Sequence, residues 1–142
     1  IEFPVTHYQI YSYGKFDLVH FNNGLHGWEY TEDEYDAAFP DMIKAIRKNA
    51  PNAKLIWATT TPIRTGKYCE RLEERVARIV TRNEIAQKHI SKAKDIKTND
   101  LFNLILDHPE YFIGGDGVHP IDKGYQVLAE QVAKKILESL SE

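Results

Sequence analysis

Two short apolar runs, with one amphipathic helix between them, place the strongest constraint on the fold of this chain. The first run, residues 17–21 (DLVHF), is rich in β-prone residues and ends at the turn-forming residues 22–24. The second run, residues 54–59 (KLIWAT), has the same character, and a helix is predicted between them over about residues 32–48. A strand, a helix and a strand in succession predict a βαβ unit with parallel strands and a right-handed crossover.

The helix between the two strands carries its own start signal. Residues 31–34 read Thr-Glu-Asp-Glu, a capping box that satisfies the first backbone N–H groups of a helix. Apolar residues then recur at helical spacing: Tyr35, Ala38, Phe39, Met42, Ile43 and Ile46. Pro40 lies among them and predicts a kink or a restart of the helix, because proline removes a hydrogen bond and clashes with the preceding turn.

The rest of the chain continues this alternation. Helices are predicted over about residues 70–90, within residues 100–112 and over about residues 121–140, with a short strand near Ile96. The predicted inward residues are Leu72, Val76, Ile79, Val80, Ile85 and Ala86 on the long helix, and Ile121, Tyr125, Leu128, Val132 and Ile136 on the last. Three strands make a thin sheet for an α/β domain. Residues 1–142 are therefore predicted to be a single domain that is truncated at its N-terminus.

Composition and charge exclude several classes of partner. A net charge of −3 provides no basic surface for nucleic acid. Six basic residues between positions 64 and 82 alternate with glutamates and are predicted to form a solvated helix face: Arg64, Lys67, Arg71, Arg75, Arg78 and Arg82. No run approaches the roughly 20 apolar residues of a spanning helix, so no membrane partner is predicted. The single Cys69 excludes an intrachain disulfide and leaves the compartment open, either cytoplasmic or secreted, and the oligomeric state is open as well.

Three loops are predicted to meet where ligands bind in α/β proteins, beyond the carboxyl ends of the parallel strands. They are residues 22–26 after the first strand, residues 60–64 after the second, and residues 114–120 before the last helix. In the third loop, Asp116 and His119 lie three positions apart in a glycine-flanked turn. A carboxylate on one imidazole nitrogen leaves the other free to take a proton from a hydroxyl nucleophile. Alternatively, Asp116 only caps the loop and His119 packs on the helix start.

Two blocks of this sequence resemble a known family. Residues 116–120, Asp-Gly-Val-His-Pro before an amphipathic helix, are similar to the last block of the SGNH (GDSL-type) hydrolases, and residues 21–28 (FNNGLHGW) resemble their third block. The resemblance extends from about residue 1 to residue 140. It implies a flavodoxin-like three-layer α/β/α domain with a parallel sheet. It also implies hydrolysis of small-molecule or carbohydrate esters, with no metal and no organic cofactor.

The resemblance assigns roles to individual residues. His119 corresponds to the general base and Asp116 to its orienting partner. The family's third block reads Gly-x-Asn-Asp, whereas this chain reads Gly24-Leu25-His26-Gly27, so His26 stands where an asparagine donates to the oxyanion. We expect His26 to take that role beside Gly24, with Asn23 as the second candidate. The other interpretation is that residues 22–24 form only a turn and that His26 lies on the surface.

The chain departs from the family in its first two blocks. No serine occurs in a Gly-Asp-Ser sequence after a strand, neither Ser12 nor Ser91, Ser139 or Ser141, and no second-block glycine is evident in residues 5–8. We therefore expect the nucleophilic serine upstream of Ile1, and residues 1–142 alone to be inactive as an esterase.

Two other functions remain open at this level. One is a catalytically inactive SGNH-like module that binds carbohydrate. Four aromatic residues flank the loops and could either stack on a sugar or serve only in packing: Trp28, Tyr30, Tyr111 and Phe112. The other is a phosphate or nucleotide binder, which is disfavoured because no glycine-rich loop opens a helix after a visible strand. No zinc site is predicted, because His89 and His108 lack ligand spacing to a cysteine, and His20 is expected to be a satisfied core histidine.

Overall fold

The computed structural model describes residues 15–66 and 72–142, and a parallel sheet lies at its centre. The strands β1 (Leu18–Phe21), β2 (Lys54–Ala58) and β3 (Ile96–Asn99) stand in the order β1-β2-β3. Phe21 pairs with Trp57 across the first ladder, and Trp57 pairs with Thr98 across the second. The predicted three-strand parallel sheet is confirmed.

Helices cover both faces of this sheet. They are α1 (Glu32–Asn49), α2 (Leu72–Lys92), α3 (Leu101–Leu106), a 3-10 helix (Pro109–Phe112) and α4 (Asp122–Leu140). The main core joins α1 and α2 to one face and consists largely of Phe21, Tyr35, Phe39, Met42, Ile46, Leu55, Trp57, Ile85, Ala86, Ile90 and Ile96. A second cluster joins α3, the 3-10 helix and α4 through Ile105, Tyr111, Phe112, Leu104, Val127 and Leu128. The domain thus has the expected three-layer α/β/α arrangement.

Helix α1 begins as its sequence predicts but is not interrupted. The Thr31 hydroxyl accepts from the Glu34 N–H at 3.2 Å, and the Glu34 carboxylate accepts from the Thr31 N–H at 2.8 Å. The helix continues through Pro40 as one element, so the predicted restart does not occur. Because Phe39 and Met42 beside Pro40 are buried in the same core, tertiary packing offsets the lost hydrogen bond.

Several predicted inward residues are exposed instead. On α2, Val80 is 37% exposed. At the start of α4, the N-cap residue Ile121 and the helical residue Tyr125 are exposed, and Gly124 is buried in their place. A side chain at position 124 would lie 2.7 Å from Pro120 and 2.8 Å from Tyr111, so α4 approaches the 3-10 helix through its glycine. That close approach sets the rotation of the helix and turns its first apolar residues outward.

Some predictions concern positions outside the described residues. These are Ser12, residues 5–8, Cys69, two residues of the predicted solvated face (Lys67 and Arg71) and the start of the long helix before Leu72. Within the described ranges, none of the helices has the length and apolar character that crossing a membrane requires.

Candidate active site

Three loops meet at the carboxyl edge of the sheet, as expected. Loop 22–31 is tied to the end of β2, because the Asn22 side-chain amide donates to the Ala58 carbonyl at 2.8 Å and to the Thr60 hydroxyl at 3.1 Å. The loop after β2 is tied in turn to the loop before α4, where the Arg64 N–H donates to the Gly117 carbonyl at 2.7 Å. These bonds hold residues far apart in sequence at one edge.

Asp116 and His119 form a hydrogen-bonded pair in the third loop. The Asp116 Oδ2 lies 2.6 Å from the His119 Nδ1, which confirms the predicted contact. The Asp116 Oδ1 accepts from the backbone N–H groups of Val118 and His119 at 2.8 and 2.7 Å. Gly117 between them adopts φ 83°, a left-handed conformation that glycine reaches without strain. The backbone of the turn therefore fixes the position of the Asp116 carboxylate, whose other oxygen contacts the imidazole.

The same hydrogen bonds set the charge of the pair. They lower the pKa of Asp116 to about 2, with the backbone N–H of His119 as the largest cause, followed by its imidazole and the N–H of Val118. The carboxylate is therefore ionised at neutral pH and favours the imidazole tautomer that carries its proton on Nδ1. The Nε2 of that tautomer can accept a proton from a hydroxyl group. The His119 side chain is 67% exposed, so an incoming group can approach it.

A cavity of about 190 Å³ lies beside this pair. Its lining consists of four apolar residues, two histidines and one arginine: Leu25, Trp28, Ile63, Val118, His26, His119 and Arg75. His26 of the first loop and His119 of the third thus border one cavity, as predicted for the first of the two candidates. None of these described lining residues carries a hydroxyl or a thiol group. A larger open groove of about 440 Å³ between α2 and α3 contains neither imidazole.

The other two predicted residues of the first loop lie against the protein interior. The Asn23 amide contacts the Met42 sulfur at 3.6 Å, and the Asn23 carbonyl accepts from the Tyr35 hydroxyl. Gly24 packs on Thr60 so closely that any side chain at position 24 would overlap the threonine hydroxyl. Of the residues predicted in this loop, His26 therefore lines the cavity while Asn23 contacts α1.

The predicted solvated face of α2 is wrong for two of its arginines. The Arg82 side chain is only 1% exposed, and Arg78 is mostly buried. Both donate to carboxylate and carbonyl oxygens of loop 22–31 and its junction with α1. One sequence signal pointed to this: Arg82 lies three residues after Ile79 and four before Ala86, on the buried stripe of the helix.

The aromatic residues near the loops differ in exposure. Tyr111 and Phe112 are buried in the core beneath α4 and so contribute to packing. Trp28 lines the cavity, and the guanidinium groups of Arg75, Arg78 and Arg82 lie 5.4–5.5 Å from its ring centre. Tyr30 is partly exposed.

Among the described residues, the histidines His20, His89 and His108 do not line the cavity. His20 is hydrogen-bonded as expected, with its Nε2 3.1 Å from the Asn99 amide, but it is half-buried and not a core residue; burial lowers its pKa. His89 pairs with Asp36 at 2.5 Å and His108 with Glu110 at 2.8 Å. Across the described ranges, no three His, Cys, Asp or Glu side chains come together as a metal site.

Gly66, just after the second loop, packs directly against the backbone of the Asp116 turn. A Cβ atom at position 66 would overlap the backbone of Asp116 and Gly117. We expect Gly66→Ala to destabilise the fold by about 1–3 kcal/mol, as other overpacking substitutions do, and to displace the turn. Chemical denaturation measures the first effect.

Gly115→Ala is the matched control, because a methyl group there meets nothing closer than 3.4 Å. Equal stability of the Gly66→Ala variant and the parent protein would show that the two loops are not in tight contact.

Comparison with known proteins identifies a family whose model matches this sequence. The model of the family described as GDSL-like lipase/acylhydrolase matches residues 9–132. No curated protein matches the sequence significantly.

Solved structures share the fold at low sequence identity. A GDSL-like lipase of Bacteroides thetaiotaomicron is 20% identical with a TM-score of 0.68, over 87% of this chain and 63% of that one. The esterase domain of the ORF1 protein of the zebrafish ZfL2-1 retrotransposon is 22% identical with a TM-score of 0.66, over 77% and 61%. A lipase/acylhydrolase of Enterococcus faecalis is 21% identical with a TM-score of 0.64, over 84% and 60%.

The chain thus spans between 60% and 63% of the length of these three structures, all of which show the same fold. The family match covers most of the sequence, including both loops that border the cavity. The chain therefore belongs to the GDSL-like lipase/acylhydrolase family.

Proposed function

We propose that this protein is an SGNH-type serine esterase in which His119 is the general base and Asp116 its orienting partner. The observation that carries the proposal is the 2.6 Å contact between the His119 Nδ1 and an Asp116 carboxylate beside a cavity. The pairs of His89 with Asp36 and of His108 with Glu110 have similar contacts but do not line this cavity, so the pairing by itself does not distinguish the site.

The nucleophile in this proposal is a serine upstream of Ile1. Its Oγ attacks the ester carbonyl carbon while the His119 Nε2 takes its proton. The tetrahedral intermediate then expels the alcohol, which receives that proton from the imidazolium. Water, deprotonated by the same nitrogen, then attacks the acyl-enzyme; the bond from the acyl carbon to the serine Oγ breaks, the acid leaves, and the Oγ takes the proton back from the imidazolium.

Labelling with a fluorophosphonate tests this assignment directly, because such reagents phosphonylate an activated serine. In the complete protein we expect one labelled peptide, upstream of Ile1, identified by mass spectrometry. A label on Ser12, Ser91, Ser139 or Ser141 would overturn the proposed position of the nucleophile. Absence of any label, together with binding of an oligosaccharide, would instead indicate the non-catalytic carbohydrate-binding module.

The cavity supports a short acyl group as the part of the substrate that enters the protein. A cavity of about 150 Å³ is known to hold a molecule the size of benzene. The space beside His119 is about 190 Å³ and its lining is mainly apolar. We propose a small-molecule or carbohydrate ester with such an acyl group. Comparing turnover of p-nitrophenyl acetate, p-nitrophenyl palmitate and an acetylated oligosaccharide tests both parts of that proposal.

His26 is proposed to donate a hydrogen bond to the oxyanion, beside Gly24. We expect His26→Ala to lower kcat for p-nitrophenyl acetate about 100-fold with little change in KM, because oxyanion donors act mainly in the transition state. Asn23→Ala is the matched comparison, since the Asn23 amide contacts Met42. A larger loss of kcat in Asn23→Ala than in His26→Ala would transfer the role to Asn23.

A further inference from the structure

Arg82 holds the backbone of the loop that carries His26. Its Nη1 donates to the His26 carbonyl at 3.0 Å, and its Nη2 donates to the carbonyls of Gly27 and Tyr30, both at 2.9 Å. Its Nε donates to the Glu32 carboxylate at 3.2 Å. The planar guanidinium group thus donates to three carbonyls and one carboxylate within residues 26–32.

Arg78, one helical turn earlier on α2, reinforces the same segment. Its Nε donates to the same Glu32 oxygen at 2.6 Å, and its Nη1 donates to the Trp28 carbonyl at 2.7 Å. Its Nη2 donates to the Tyr30 carbonyl. Two arginines therefore satisfy the carbonyls of four of the five residues from His26 to Tyr30.

Because Arg82 is buried, its charged group destabilises the fold unless all of its hydrogen bonds are made. Burying a guanidinium charge carries a large desolvation penalty, which only a paired carboxylate and well-aligned acceptors offset. Glu32 supplies that charge, and the arginines lower its pKa even though desolvation, the largest single contribution, raises it. The loop has few backbone hydrogen bonds of its own; one joins the Tyr30 N–H to the Gly27 carbonyl at 3.2 Å. Most of the described hydrogen bonds of residues 26–30 are therefore those made by Arg78 and Arg82. The position of the loop thus depends on α2.

We propose that Arg82 is a positioning residue of the active site, which acts by fixing the His26 backbone so that the His26 imidazole borders the His119 cavity. The inference rests on the proposed function, because it needs His26 to act in the reaction. Lysine at position 82 keeps the charge but has no planar fork, so it cannot bind several carbonyls in the same fixed geometry.

A double-mutant cycle on the complete protein tests this coupling. We expect R82K to lower kcat about 10-fold to 100-fold with a small change in KM, and to lower kcat less than about 3-fold when His26 is already alanine. R47K is the matched control. Arg47 also binds a loop carbonyl, that of Ala53, and a carboxylate, that of Asp95, but at the opposite edge of the sheet. Its replacement should leave kcat unchanged.

A second measurement does not depend on activity. In NMR spectra of protein with ¹³C-labelled histidine, R82K should shift or broaden the imidazole C–H resonance of His26 and leave that of His89 in place. R47K should leave the His26 resonance unchanged. If circular dichroism shows that R82K does not fold, E32Q replaces it in the same cycle. This variant neutralises the carboxylate that both guanidinium groups share.

The outcomes separate the two proposals. Unchanged kcat and an unchanged His26 resonance in R82K would overturn the positioning role, as would a loss of kcat that adds fully to that of H26A. If H26A and H119A both retain full activity, the proposed function itself fails, whatever the NMR spectrum of R82K.

Discussion

Replacing His119 by alanine is expected to reduce esterase turnover by at least about 1,000-fold, because no other group then takes the proton from the nucleophile. The effect should fall on kcat and on kcat/KM alike, since the base acts in the transition state and not in substrate binding. Hydrolysis of p-nitrophenyl acetate by the complete protein measures it. The exposed position of His119 makes this substitution tolerable for the fold.

His89→Ala is the matched control for this loss. His89 also contacts a carboxylate, that of Asp36, but it joins α1 to α2 away from the cavity. Its replacement, and that of Ser12, should change turnover very little. Retention of activity in His119→Ala, or an equal loss in His89→Ala, would refute the assignment of the base.

Asp116→Asn is expected to lower kcat by about 100-fold to 10,000-fold while the protein stays folded. An asparagine oxygen can still accept the backbone N–H groups of Val118 and His119, so the turn can form. Its NH2 group, however, cannot accept the proton on the His119 Nδ1, and the opposite tautomer is favoured. The base then presents an N–H, in place of a lone pair, to the nucleophile. Steady-state kinetics with circular dichroism separate this effect from unfolding.

The ionisation of Asp116 sets the pH range over which the Asp116→Asn variant should differ from the parent protein. Its pKa of about 2 in the folded protein lies below the value of about 3.9 in an unfolded chain. The contribution of the pair to stability is therefore complete above about pH 4 and is lost as the pH falls towards 2. The loss in Asp116→Asn should consequently persist at every pH from about 5 to 9. Recovery of activity at either end of that range, or loss of the same size in Asp36→Asn, would contradict the orienting role.

Local sequence was sufficient for the elements and for one contact of the site. The strands of β1 and β2, the capping box at Thr31 and the Asp116–His119 contact all depend on residues within a few positions of one another. Their geometry follows from short-range hydrogen bonding and from periodicity, which the amino-acid order specifies directly. The family blocks lie in two such segments, and the sequence therefore also identified the family.

Burial was predicted less well, because it depends on which neighbour each helix face meets. The apolar spacing of α4 predicted Ile121 and Tyr125 inward, yet the contact of Gly124 with Tyr111 and Pro120 determined the rotation of the helix. Likewise, α1 continues through Pro40 because its neighbours are held in the core. Neither contact is encoded within the helix that it affects.

The sequence by itself determined the α/β order, the family and the Asp116–His119 pair, all of which follow from local patterns. Only the tertiary structure decided that His26 and not Asn23 borders the cavity, and that Arg82 is buried beneath the His26 loop. The physical reason is the separation along the chain. A guanidinium group 56 positions away from the carbonyl it binds leaves no periodic signal for that bond, which exists only once α2 has packed against the sheet.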